Sequence, residues 1–418
     1  MGSTCDHTTR TFKVLVLGGS YAGLSAALNL IDLCHNRDPR CGKKTEDPQD
    51  TTALETIVPD ITIVDERDGF YHLIGSPLTL ALESYADKAW VKYEAIPALQ
   101  MPNIRVIQGS VLGLNTSSKV ASVAAHGSTD ELKLDYDYLV AATGLRRAWP
   151  VVPQSLCRKQ YLSEVGNHLR NVGNAKHGVV VVGGGAVGIE MAAELKLVKP
   201  ETEVTLVHSR DKLLSAEPLP DEVKDKALEL VRESEVKVLM SHRLETVAEV
   251  EQGGESKCYN LTFNNGHSMR ASEVIMAVSK SVPVTTFLPY AAVDEEGYVK
   301  VHSNLSFSGD VPNASDHFAI GDIAKWSGIK RCGAAMHMGM LAAVNIHQLI
   351  KRTVSDSTPE FMKLDEIPPM IGLAVGKKAV GYWPGGGTTS GEDVMETFFG
   401  KDLGFTICWN HLQLGVKT

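Results

Sequence analysis

Phe12-Lys13-Val14-Leu15-Val16-Leu17-Gly18-Gly19-Ser20-Tyr21-Ala22-Gly23 near the start of the chain and Val179-Val180-Val181-Val182-Gly183-Gly184-Gly185-Ala186-Val187-Gly188 in its middle each lead an aliphatic run into a glycine-rich turn. The aliphatic runs read as buried strands, and Leu24–Ile31 after the first turn has the apolar spacing of a packed helix. A turn almost without side chains between strand and helix lets backbone N–H groups and the helix N-terminus approach a pyrophosphate. Two such turns predict an α/β fold with two Rossmann-like units and two dinucleotides, the usual pair being a tightly held flavin and a nicotinamide that comes and goes.

The rest of the chain narrows the possibilities. With 418 residues, 43% hydrophobic and 22% charged, there is material for two or three domains with their own cores. A net charge of −9 offers no electrostatic footprint for nucleic acid or an anionic membrane. The seven cysteines are scattered and none forms a Cys-x-x-Cys pair. They read as reduced intracellular thiols, and the chemistry of flavoproteins with an adjacent redox-active pair is not expected. No metal centre is expected. No stretch approaches the roughly 20 apolar residues of a membrane span, and residues 1–11 lack a signal-peptide core. A cytoplasmic location is expected, with peripheral membrane contact and oligomeric state left open. Gly2 stands where myristoylation needs it, but Asp6 replaces the required Ser or Thr.

Residues 61–64 form a second strand ending at Asp65-Glu66, where a carboxylate would bind ribose hydroxyls. The excess length before it, residues 34–59, reads as a surface insertion. Strands are expected at 103–111, 119–124 and 138–142, the last leading into Thr143-Gly144. Pro150 and Pro153 mark a crossing into the second unit, which has a helix at 189–197, a strand at 203–207, a helix at 221–234 and a β-meander over 244–277. Residues 317–320 return to the first unit as a strand stopping at Gly321-Asp322, followed by a long helix over 334–351. The domain division is therefore 10–148 with 295–358 for the first dinucleotide unit, 149–294 inserted for the second, and 359–418 as a small C-terminal α+β domain resembling an interface domain.

On these motifs, together with Asp68-Gly69-Phe70-Tyr71-His72, Gly188-Ile189-Glu190-Met191-Ala192-Ala193-Glu194, Val204–Ser209 and Ala319-Ile320-Gly321-Asp322, the chain resembles the two-dinucleotide flavoproteins. Within them it is similar to the apoptosis-inducing-factor-like and ferroptosis-suppressor family, fungal members especially, over about residues 12–412. The resemblance implies FAD in the first unit, NADH or NADPH in the second and a quinone as electron acceptor. Carried over by position, FAD contacts fall on Gly18, Gly19, Ser20, Tyr21, Ala22, Gly23, Asp65, Val111, Thr143, Gly144 and Asp322. Where the family often has an arginine after the His72 region, Leu78 stands here. Gly183, Gly185 and Gly188 would face the nicotinamide dinucleotide. At the position of the acid in NAD-selective enzymes stands His208, followed by Ser209 and Arg210, so no carboxylate repels a 2′-phosphate and Arg210 either pairs with one or is a solvated charge. Glu190 is a candidate for orienting nicotinamide or relaying a proton, against the plainer role of an acid in a helix first turn. His337 and Lys401 are further catalytic candidates, against a structural histidine and a solvated lysine.

The preferred function is hydride transfer from NAD(P)H to FAD, then two electrons to a quinone or related aromatic acceptor. Two other readings share the fold: a tailoring oxidoreductase of secondary metabolism using oxygen or a polyketide-like substrate, and a redox-sensing signalling flavoprotein.

Overall fold

The computed structural model describes residues 10–40, 57–250, 257–278 and 280–417. Strand Arg10–Leu17 pairs in parallel with Ile57–Asp65 on one side and Tyr138–Ala141 on the other. Ile104–Asn115 extends the parallel set beyond the former, and His317–Ala319 beyond the latter. Val120–Ala125 and Glu131–Asp135 complete the seven-stranded sheet as an antiparallel flank. The central strands are buried on both faces, which is why they read as continuous aliphatic runs and do not alternate.

The helix Tyr21–Cys34 is buried along nearly its whole length because the 24-residue helix Cys332–Ser355 lies across it. Close approach depends on Gly339, where a Cβ would sit 2.5 Å from the Ala22 carbonyl oxygen and 2.6 Å from Ser25 Cβ. The Ser25 hydroxyl donates to the Met336 carbonyl across this contact at 2.6 Å.

The second unit is a four-stranded parallel sheet in the order Lys237–Leu239, Val204–Val207, Val179–Val182, Glu273–Met276. Beside it Leu244–Glu249, Tyr259–Phe263 and Ser268–Ala271 form the expected antiparallel meander, with Gly266 at φ +80° in its turn. The chain rejoins the first sheet only at His317, so the second unit is inserted within the first. The remainder is α+β: antiparallel Ile371–Val375, Lys378–Trp383 and Gly387–Gly391, then helices Glu392–Phe398 and Phe405–His411. Its sheet packs on the Ala186–Val198 helix, while Phe405, Cys408, Leu412 and Leu414 join the core of the first unit.

Some elements differ from expectation. Residues 57–59 belong to the second strand and not to the insertion, whose residues 41–56 lie outside the described ones, as does the Gly2–Asp6 segment. The helix Arg158–Gly173 has no counterpart in the sequence reading, since it buries only a sparse stripe of Tyr161, Val165, His168 and Val172. Among the described residues no helix is long and apolar enough to cross a membrane.

Candidate active-site cleft

Strand register decides where the site lies. Leu17 is level with Val64 and with Ala141, and Ala141 with Ala319. The residues that follow, Gly18, Asp65, Ala142 and the Ile320-Gly321-Asp322 turn, therefore all emerge at the carboxyl edge of one sheet, where ligands bind in open α/β folds. They border a cleft of about 1510 Å³, open to solvent, that extends to Val187 and Glu190 of the second unit.

The first turn is built for a close ligand. Gly18 has φ +106°, and a Cβ there would meet the Ala142 carbonyl oxygen at 2.3 Å. A Cβ on Gly23 would lie 1.8 Å from the Gly18 carbonyl oxygen, so this glycine lets the helix begin directly against the strand. Ser20 caps that helix without a side-chain hydrogen bond, and no acid occupies its first turn, leaving N–H groups for an anion. The Asp65 carboxylate accepts from Gly19 N–H at 2.6 Å and Arg67 N–H at 2.8 Å. Burial raises its pKa against the opposing effects of Arg67 and those two N–H groups. Tyr93 holds the turn from behind, its hydroxyl donating to the Gly19 carbonyl at 2.9 Å. On the far wall Asp322 faces the cleft and makes no hydrogen bond to the protein through its carboxylate among the described residues. Burial raises its pKa, while Arg147 and Lys330 act the other way.

The second turn repeats this construction with a different group. Gly184 N–H donates to His208 Nδ1 at 3.1 Å, in the place Asp65 holds in the first turn. That bond makes Nδ1 the acceptor and leaves Nε2–H to meet the Ser215 hydroxyl at 3.0 Å. Burial lowers the His208 pKa, which suits the neutral ring. Arg210 is exposed and donates to the Ser215 carbonyl at 3.1 Å. Gly183, with φ +126°, and Gly188, packed on its carbonyl oxygen, form the turn without bordering the cleft, and neither does Gly185.

Glu190 is the fifth residue of its helix, beyond the first turn, so it does not serve as a helix-end charge. It is half-buried against the cleft, with Ala374 N–H donating to Oε1 at 3.3 Å. Burial raises its pKa to about 8, with Glu194 adding to the rise and the Ala374 bond opposing it. Glu194, one turn on, is raised to about 7 by burial, and among the described residues its Oε1 finds no hydrogen-bond partner. It borders a second cavity of about 1210 Å³ together with Leu78 and Lys401.

The cleft thus gathers Gly18, Ser20, Tyr21, Ala22, Asp65, Thr143, Gly144, Glu190 and Asp322. Gly19 and Gly23 lie directly behind its wall. Val111 does not border it: this residue pairs with Val123 and packs against the core that Leu15 and Leu17 join. Nor does His337, exposed on the long helix, or Lys401, which borders the second cavity. His72 is fully buried between the Tyr21 hydroxyl, 3.1 Å from Nδ1, and the Leu403 carbonyl, 2.9 Å from Nε2. The sequence reading missed Tyr93, Arg147, Lys330 and Cys332, which no glycine or acid motif flags.

Residues 12–339 match the pyridine nucleotide-disulphide oxidoreductase family. The chain belongs to that family. It is 49% identical to oxidoreductase OXR1 of Ajellomyces capsulatus over 98% of this chain and 89% of that one. It is 25% identical to ferroptosis suppressor protein 1 of Mus musculus over 84% of this chain and 83% of that protein. Among solved structures, an NAD-dependent persulfide reductase from A. fulgidus superposes with a TM-score of 0.64 at 21% identity, covering 88% of this chain. This chain spans 63% of the length of that reductase. As a family member it is an NAD(P)H-dependent flavoprotein oxidoreductase with FAD and NADH or NADPH as cofactors. The cleft fits FAD on its own geometry: side chains at 18 or 23 would collide with backbone, the serine-capped helix end is uncompensated, and Asp322 presents a carboxylate with unused acceptor capacity.

Proposed function

We propose that the protein oxidises NAD(P)H and passes two electrons to a quinone or related aromatic acceptor. The balance is NAD(P)H, one proton and one quinone giving NAD(P)⁺ and a quinol. Bound flavin would supply hydride acceptance and onward two-electron transfer. The turn at Gly18–Gly23 would hold its pyrophosphate, Asp65 the ribose and Asp322 the ribityl hydroxyls. Residues 10–148 with 295–358 would form the FAD domain, 149–294 the NAD(P)H domain and 359–418 the interface-like domain.

The observation carrying this reading is Glu190, a carboxyl that burial keeps protonated to about pH 8, on the cleft wall that the inserted unit contributes. Hydride donation brings no second proton, and the quinol needs one; a neutral acid beside the reacting groups stores it. Because His208 replaces an acid at the second turn, NADPH is accepted as well as NADH.

Stopped-flow mixing of the purified yellow protein with NADPH and with NADH, followed by an acceptor panel at the flavin band, tests the proposal. Anaerobic bleaching and prompt recovery with quinone are expected, with parallel double-reciprocal lines. A reduced flavin that air reoxidises while every quinone leaves it untouched would overturn the acceptor in favour of oxygen.

A further inference from the structure

The helix Ala186–Val198 carries two acids, and the cleft takes only the first. Glu190 faces the cleft, while Glu194 borders the cavity of about 1210 Å³ where this helix meets the C-terminal unit. Glu194 is only 3% exposed, and among the described residues its Oε1 accepts no hydrogen bond and its carboxyl joins no ion pair. A buried carboxylate without a counter-charge is unfavourable, which is why burial lifts its pKa to about 7.

The surroundings of this acid define what would relieve it. Leu78, Leu82, Leu197, Val198, Met395 and Leu403 line the cavity, and Leu82 and Leu197 are themselves exposed, so the apolar lining continues to the surface. Glu392, Asp393 and Glu396 border the same cavity from the helix Glu392–Phe398, all three exposed. Lys377 and Lys401 are the cations on its wall, so four carboxyl groups face two ammonium groups. A metal ion does not match this arrangement, because among the described residues no three His, Cys, Asp or Glu side chains converge to hold one. An organic cation does: its charge compensates the buried carboxylate while its apolar body covers the leucines.

We propose that this cavity binds an amphipathic organic monoamine, its ammonium group on the Glu194 carboxylate, its apolar body against Leu78, Leu82, Leu197 and Met395, with Glu392, Asp393 and Glu396 drawing the cation to the mouth. The site is separate from the dinucleotide cleft and does not rest on the flavin reading. The ammonium pairs with the ionised carboxylate, so below pH 7 a proton leaves Glu194 as the ligand enters. Of the groups that face Glu194, Glu190 on its own helix keeps its proton to about pH 8, and burial raises the pKa of Tyr85 on the helix Glu83–Ala89, with Glu194 adding to that rise. Lys377, Lys401 and the three acids at the mouth supply the remaining charge. Glu194 is therefore the group whose charge changes on binding near pH 6.

The test is isothermal titration calorimetry of the full-length, flavin-loaded protein with hexylammonium, and with hexanol and hexanoate as neutral and anionic probes of equal chain length. Saturable one-to-one binding of hexylammonium is expected, about tenfold or more tighter than hexanol, with hexanoate weaker than either. Titrations in buffers of different ionisation enthalpy should show about one proton released at pH 6 and none at pH 9. Glu194→Gln should weaken hexylammonium about tenfold or more and abolish the proton release, while leaving hexanol binding as it was. In the wild-type protein, hexylammonium that fails to saturate, or hexanol or hexanoate that binds as tightly, would overturn the proposal, and these results need no variant. Glu194→Gln protein that folds, as read by circular dichroism, and binds hexylammonium with wild-type affinity would overturn the assignment of the cation to this carboxyl.

Discussion

Two side chains carry most of the chemistry argued from single residues. Glu190 holds its proton to about pH 8, so the oxidative half-reaction should decline as pH rises through 8. Glu190→Gln should leave reduction by NAD(P)H unchanged, slow quinone-dependent reoxidation on the order of 10²-fold, and abolish that pH dependence, as read by stopped-flow absorbance across pH 6 to 9. His208 sets the character of the second turn. Replacing its neutral ring by a carboxylate in His208→Asp would place a negative charge where a 2′-phosphate would lie. The ratio of kcat/KM for NADPH to that for NADH should fall about tenfold, equivalent to ~1.4 kcal/mol. An unchanged ratio in steady-state assays would remove the role given to this position.

At the scale of elements, the contact between Tyr21–Cys34 and Cys332–Ser355 holds the first turn against the start of the long helix. Gly339→Val would force a side chain against the Ala22 carbonyl and Ser25. Helix separation should destabilise the protein by about 1–3 kcal/mol in denaturant titration and loosen flavin retention. The glycine turns and their strands were legible because a buried parallel strand leaves a continuous aliphatic run and a pyrophosphate turn leaves glycines. Arg158–Gly173 was not, because four buried positions in sixteen residues leave a weak pattern. Within the site, Asp65 and Asp322 were readable from the motifs that end their strands. Tyr93 was not, since a tyrosine bonding a turn from another segment has no local signature.

For the whole molecule, pH shapes stability through groups buried in different units. Burial lowers the pKa values of His72 and His347 to about 4, below the unfolded value near 6.5. The unfolded chain therefore binds more protons between pH 6.5 and 4, and stability falls with acid across that window. For the fully buried His72 the loss is on the order of 3 kcal/mol. Glu190 and Glu194 act in the opposite sense. Their folded pKa values, about 8 and about 7, exceed the unfolded value, so their contribution is complete below pH 4.5 and is lost as pH rises through 7 and 8. From these four groups Tm should be nearly level between pH 4.5 and 6.5 and fall on either side. Glu194→Gln should raise Tm at pH 8.5 and change it little at pH 5. Equal shifts at both values, measured by calorimetry, would show that the charge of this carboxyl does not limit the fold.

By itself the sequence determined the α/β class, the two dinucleotide units, the nesting of one within the other and the acids at the strand ends. Each of these leaves a short-range mark: a buried strand, a turn free of side chains, or a residue at a set distance from that turn. Tertiary structure decided which motifs share a cleft. It kept Val111, His337 and Lys401 off the cleft wall, set Glu190 beyond the first turn of its helix, and packed Cys332 and Cys408, from distant helices, against one core. Those outcomes depend on strand register and helix packing between remote segments, and a hydrogen bond between distant side chains leaves no pattern in the residues around either one.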